Sequence, residues 1–359
     1  MPQQRDRAGL TPKWYTEVGH STGWPGLPGV ESGVVIVGAH EGIAAFDTAT
    51  GQPQWATHLW DDGTDAFAMN IATGQGRACI ADRPAIACVD ALTGRVLWRA
   101  KPDSSAVYSE SDMDGDTWYF GEMNHKVYAL EVATGAQRWT TDIAPDAQYT
   151  TRIFGVAVRG DTVYATTVRW LTWNGGSLVG DLVALDRTTG RLLWRYTTPA
   201  GARGGIQGPP LLTDRFAILN DAYAHVLIGV DRITGREAWR TANDASGYIN
   251  AETAPIVIAD SVFSGSSDTQ IYSVDATNGA LRWRVIGSGD AIGSLAVCNH
   301  TIIAVPFGVG VPELADRTTH AVSGTDALRP NDEIRSRLAV VGATAYAAAR
   351  HGIYAFHCG

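Results

Sequence analysis

The chain has 359 residues, 45% hydrophobic and 18% charged, an ordinary globular balance with enough apolar material for a large core. Its net charge of −9 disfavours nucleic-acid binding through phosphate neutralisation. The 40 glycines suit many tight turns better than long helices.

The chain opens MPQQRDRAGLTPKWY, without the apolar core of a signal peptide, and residues 1–10 read as a flexible tail. There is no lipobox cysteine there, and no run long and apolar enough to span a membrane. The expectation is a cytoplasmic monomer with no membrane contact. The next segment, PKWYTEV, has strand character and carries Trp14.

Beyond it one pattern recurs, a strand, Asp-x-x-Thr-Gly, then a strand holding Trp. The copies are FDTATGQPQW (46–55), VDALTGRVLW (89–98), LEVATGAQRW (130–139), LDRTTGRLLW (185–194), VDRITGREAW (230–239) and VDATNGALRW (274–283). Gly and Trp are always four residues apart. The motif is a turn. The carboxylate and hydroxyl bond nearby backbone N–H groups, the Gly takes positive φ, and the Trp presents a flat face to the next repeat. It is structural, not catalytic.

Each repeat divides into four strands, and the second strand recurs near Val35, Ala78, Trp118, Val163, Phe216, Val262, Ile302 and Ala345. Eight copies of four strands with a period in the forties predict an all-β fold, a single eight-bladed β-propeller over 1–359. The seventh copy reads as having lost its motif, keeping strand and turn at THAVSGTDALRP (319–330). The eighth stops before its outer strand. The segment around Trp14 is expected to complete that last blade, closing the ring without an open seam.

The signature (Y/V)ALDxxTGxxxW resembles the pyrroloquinoline-quinone-like (PQQ-like) repeat, a family that includes quinoprotein alcohol dehydrogenases and the BamB-type outer-membrane assembly factor. The resemblance covers nearly the whole chain. It implies the propeller fold strongly and function weakly. The family's enzymes hold the quinone between a Trp and a disulfide of adjacent cysteines. Here Cys79, Cys88, Cys298 and Cys358 include no adjacent pair, no C-x-x-C-H haem motif and no metal spacing. No cofactor and no metal are predicted. Cys79 and Cys88 face each other across a turn at Asp82–Ala85, and in a cytoplasmic protein they are expected to be reduced core thiols.

Function in such a ring is expected where the loops between second and third strands gather on one face. Two of these loops read as expanded, 168–181 with Trp170 and Trp173, and 306–320. The inner strands start at the same face with unusually polar residues: Asn70, Tyr108, Glu110, Arg152, Gln207, Asn250, Glu252, Arg335 and Arg337. His125, His225 and His351 fall in or near second-to-third loops. Arg152 and Arg337 beside Glu110 and Glu252 make a candidate catalytic set, with arginines for an anionic or carbonyl group and a Glu as general base. The others are candidate substrate contacts. The alternative is that these charges pair across the channel and fill it.

Two functions follow. One is a cofactor-independent, non-redox lyase, isomerase or cyclase acting on a small organic or peptide ligand. The other is a non-catalytic scaffold binding a protein partner on the loop face. A PQQ-dependent dehydrogenase is disfavoured.

Overall fold

The computed structural model describes residues 10–18, 26–60, 71–82, 86–101, 109–123, 125–144, 151–170, 178–199, 205–206, 208–221, 226–242, 255–266, 269–287, 292–306, 311–324 and 328–358. They form eight antiparallel four-stranded sheets and, among the described residues, no helix. Blades 1 to 7 span 29–58, 71–100, 112–142, 151–197, 211–242, 256–286 and 292–324. Blade 8 combines 339–358 with the N-terminal strand Leu10–Glu17. The inner strand of blade 1, Gly29–Glu31, lies against Ile71–Gly74 of blade 2 and Ala339–Val341 of blade 8, so the series closes into a ring.

Burial follows the position of a strand within its blade. In blade 1 the second strand, Val34–Ala39, and the third, Gly42–Asp47, are apolar and almost wholly buried, whereas the outer strand, Pro53–His58, alternates towards solvent. A strand covered on both faces needs a continuous apolar run, and an edge strand needs only one. The core is therefore divided among eight clusters of apolar side chains, each between two adjacent blades.

In blades 1 to 5 the repeated motif joins each blade to the one before it. In blade 1 the Asp47 carboxylate accepts from the Thr50 hydroxyl at 2.8 Å and from the amides of Thr50 and Ala49 at 2.7 and 3.0 Å. That turn presents the Thr48 carbonyl to the Trp14 indole N–H of blade 8 at 3.0 Å. The indoles of Trp55, Trp98, Trp139 and Trp194 repeat the contact on the carbonyls of Ala91, Val132, Arg187 and Arg232 at 2.8–3.1 Å. The motif glycine meets two demands at once. Gly135 has a φ of 73°, and a Cβ there would lie 2.6 Å from Cδ2 of Trp98, so the indole lies directly on the backbone.

The N-terminal strand completes blade 8 as expected. Leu10–Glu17 runs antiparallel to Gly352–Cys358, from Leu10 opposite Cys358 to Glu17 opposite Gly352. The seventh motif, however, is present. It is Asp316-x-x-Thr319 with His320 in the glycine place, and Asp316 accepts from the Thr319 amide and hydroxyl at 2.6 and 3.0 Å. His320 adopts a φ of 59° and stacks on Trp283 at 4.5 Å between ring centroids. Without Gly or Trp the copy is invisible to a motif search. Only the strand pairing, Thr301 opposite Asp316, restores its register.

Both expanded loops shrink for the same reason. The segment 168–181 is strand at both ends, because Thr162–Trp170 pairs in full with Leu178–Asp186, and residues 171–177 lie outside the described residues. The segment 306–320 contains the third strand Glu313–Asp316 and the turn that follows it on the opposite face.

The expectation of reduced thiols is corrected too. Cys79–Cys88 and Cys298–Cys358 are disulfides, with Cα–Cα distances of 4.1 and 5.8 Å. Cys79 and Cys88 are directly opposite on neighbouring strands, as their spacing implied. Cys298 and Cys358 come from different blades, 7 and 8, and meet where those two blades pack together.

Candidate functional site

The candidate residues gather, where they are described, on the face of the second-to-third loops. Glu110 precedes the inner strand of blade 3, and its backbone bridges to blade 4. Its amide donates to Phe154 O at 3.0 Å and its carbonyl accepts from Val156 N at 2.8 Å. Its side chain is buried and forms an ion pair with Arg337 of blade 8. Blades 3 and 8 are not neighbours, so this pair reaches from one part of the ring to another across the axis. Burying a carboxylate is costly unless a partner compensates it, and the Arg337 guanidinium does so here.

Arg152 lies at the start of the inner strand of blade 4 and is exposed. Arg335 bonds Glu333 at 2.5 and 2.8 Å. The His125 and Asp142 side chains meet at 2.7 Å, and His351 approaches Asp332 at 3.3 Å. Both histidines therefore sit beside carboxylates on the loop face. Trp170 ends the second strand of blade 4, opposite Leu178. Asn70, Tyr108, Trp173, Gln207, His225, Asn250 and Glu252 lie outside the described residues. The structure thus joins Glu110 to Arg337 and brings Arg152 to the same face.

A larger feature was missed from sequence. Seven carboxylates among the described residues are buried: Asp82, Glu110, Glu122, Asp181, Asp221, Glu313 and Asp332. All seven lie at this same end of the ring. Asp181, fully buried, accepts from Arg169 Nε at 2.5 Å, from Arg195 Nη1 at 3.3 Å and from the Thr197 hydroxyl at 2.6 Å. Arg195 also donates to the Ile143 carbonyl of blade 3, and Arg99 donates to the equivalent Leu59 carbonyl of blade 1 at 3.1 Å. Asp221 accepts from Gly205 N at 2.8 Å, and Asp332 from the Tyr354 hydroxyl at 2.8 Å. Burial pushes the Tyr354 phenol up, with Asp332 adding to the effect. Beside Glu110, burial also pushes the Asp112 carboxyl up, although it accepts from Val158 N at 2.8 Å. These groups tie loops and blades together on the loop face. The signal was a carboxylate directly after the second-strand apolar run, as at Asp82, Glu122 and Asp221.

The residues present do not fit a quinone sandwiched against adjacent cysteines. Neither disulfide joins adjacent cysteines: one closes a hairpin inside blade 2 and the other links blades 7 and 8.

The family model described as outer membrane protein assembly factor BamB matches residues 39–217, 154–301 and 224–349 in overlapping segments. Serine/threonine-protein kinase AfsK of Streptomyces coelicolor is 29% identical over 291 residues, covering 79% of this chain and 33% of that protein. The assembly factor BamB of Kangiella koreensis is 28% identical over 211 residues, covering 54% of this chain and 47% of its own. The chain thus spans a third to a half of the length of these two curated relatives. The crystal structure of BamB from Moraxella catarrhalis superposes with a TM-score of 0.73 at 16% identity, covering 97% of this chain and 99% of that one, and so shares the fold. With its matched segments running from blade 1 to blade 8, the chain belongs to the BamB family of PQQ-like-repeat propellers.

Proposed function

We propose that this propeller is a non-catalytic scaffold that receives a protein partner on its second-to-third loop face. The observation that carries this reading is the Glu110–Arg337 ion pair. It commits one carboxylate and one guanidinium of the candidate catalytic set to each other across the ring axis. A general base must reach a substrate proton, and a carboxylate held by a guanidinium is a poor one. Membership of the assembly-factor family supports the same reading. Arg152 and His351 place exposed polar surface on that face.

The test is site-specific photocrosslinking in the producing cells. A crosslinker at position 152 or 351 is expected to trap one defined protein. One at position 92 or 233, at the exposed motif turns of the opposite face, is expected to trap none. Equal labelling from both faces would overturn the scaffold reading. So would a small molecule that raises the melting temperature of the parent but not of Arg152→Ala, which would favour the enzyme.

A further inference from the structure

The joint between blades 7 and 8 differs from the others in having no tryptophan at the clamp place. The indole clamp needs a Trp on the outer strand of one blade and a carbonyl just after the motif Asp of the next. Trp14, Trp55, Trp98, Trp139, Trp194, Trp239 and Trp283 occupy the donor place in blades 8 and 1 to 6. In blade 7 the residue opposite Leu314, as Trp55 is opposite Ala45 in blade 1, is Ser323. No indole therefore reaches from blade 7 to blade 8.

The acceptor place in blade 8 can be found by register. Val34 pairs with Asp47 in blade 1, and Thr344 pairs with His357 in blade 8. Thr48 N donates to Gly33 O, and Cys358 N donates to Ala343 O, both at 3.0 Å. Cys358 thus stands where Thr48 stands, at the carbonyl an indole would clamp. Its carbonyl instead accepts from Asn299 Nδ2 of blade 7 at 3.0 Å, and its sulfur is bonded to Cys298, the residue before Asn299. A disulfide and an amide replace the missing tryptophan.

This joint also governs closure. Cys358 is directly opposite Leu10, the first residue of the N-terminal strand that completes blade 8. Anchoring Cys358 to blade 7 fixes the end of the strand on which that segment must pair.

We propose that Cys298–Cys358 is a redox latch for the ring. The two thiols lose two electrons and two protons to a disulfide oxidant, which becomes a dithiol, and blade 8 is locked onto blade 7. A dithiol reductant reverses the exchange by thiolate attack through a mixed disulfide and loosens the captured N-terminal strand. Such a latch is set in an oxidising compartment. Cys79–Cys88 has no such role. It lies inside blade 2, whose joints on both sides carry the Trp55 and Trp98 clamps.

The experiment is a dithiothreitol titration of the folded protein, with alkylation and peptide mapping to identify the bond reduced. Hydrogen–deuterium exchange is read in Leu10–Glu17 and, as a control, in Leu192–Thr197 of blade 4. Loss of Cys298–Cys358 is expected to speed exchange in Leu10–Glu17 by about tenfold or more, with the control unchanged. Cys298→Ala/Cys358→Ala is expected to reproduce the reduced pattern, and Cys79→Ala/Cys88→Ala to keep the parent pattern. Free thiols at 298 and 358 in air-oxidised protein would overturn the latch. So would full protection of Leu10–Glu17 after that bond is reduced. Should the double alanine variant not fold, reduction of prefolded protein still decides between these outcomes.

Discussion

Replacing Gly135 with alanine probes the clamp that repeats around the ring. The change carries two costs. Gly135 has a φ of 73°, where a side chain costs roughly 1–2 kcal/mol. The new Cβ would also sit 2.6 Å from Cδ2 and 2.8 Å from Cε3 of Trp98. Displacing an indole seated between two blades costs about 1–3 kcal/mol more. The expected loss is therefore about 2–5 kcal/mol. The two costs can be separated, because only the second needs the indole. In a Trp98→Ala background the steric cost disappears and the backbone cost stays. Urea unfolding followed by circular dichroism on the four proteins of the cycle measures the coupling, given unchanged slopes. A coupling of about 1–3 kcal/mol is expected, with Gly135→Ala cheaper when Trp98 is absent. Additivity within about 0.5 kcal/mol would refute the claim that the glycine is there for the indole.

Further outcomes follow from the charged groups. Arg337→Met should destabilise more than Glu110→Gln, roughly 3 against 1–2 kcal/mol, because the first takes the guanidinium from a buried carboxylate and the second leaves a partly hydrated guanidinium. Thermal melts of both variants test the order, and the reverse order would contradict the described burial. Asp181→Asn should cost about 3–5 kcal/mol by leaving Arg169 and Arg195 facing each other without their carboxylate, and an unchanged urea midpoint would refute it. The motif aspartates titrate low in the fold. The Thr189 hydroxyl and then its amide hold the Asp186 carboxyl below the usual range, Asp47, Asp90, Asp231 and Asp316 are lowered by bonds from the same turn position, and Asp275 by the Thr277 hydroxyl and the Arg282 guanidinium. A lowered folded pKa gives stability that is present above the unfolded value, about 3.9, and is lost as pH falls through the folded one. Asp186→Asn should therefore lower the urea midpoint at neutral pH, and the gap to the parent should narrow in acid. A gap independent of pH would show that the carboxylate charge is irrelevant to the turn.

The eight-bladed ring and its closure near Trp14 were legible in the sequence, because both rest on local signals. An Asp-x-x-Thr-Gly turn and a Trp four residues later declare themselves wherever they occur, six times here, and the eight recurring second strands give the number of blades. The opposition of Cys79 and Cys88 was legible too, since a hairpin relates them by simple register. The seventh motif was not, because His320 does the work of glycine at positive φ and stacks on Trp283, which no composition rule anticipates. Polar strand starts pointed to Glu110 and Arg337 as individuals. That they are each other's partner depends on ring closure, which brings together residues 227 positions apart.

Local chemistry, turn residues and apolar runs, was determined by the sequence by itself, because each such choice is made within a few residues. Only the tertiary structure decided which distant groups meet: a carboxylate with a guanidinium across the axis, and a cysteine in blade 7 with one beside the N-terminal strand. The physical reason is that a ring relates its ends through the geometry of every blade between them, and no short segment carries that information.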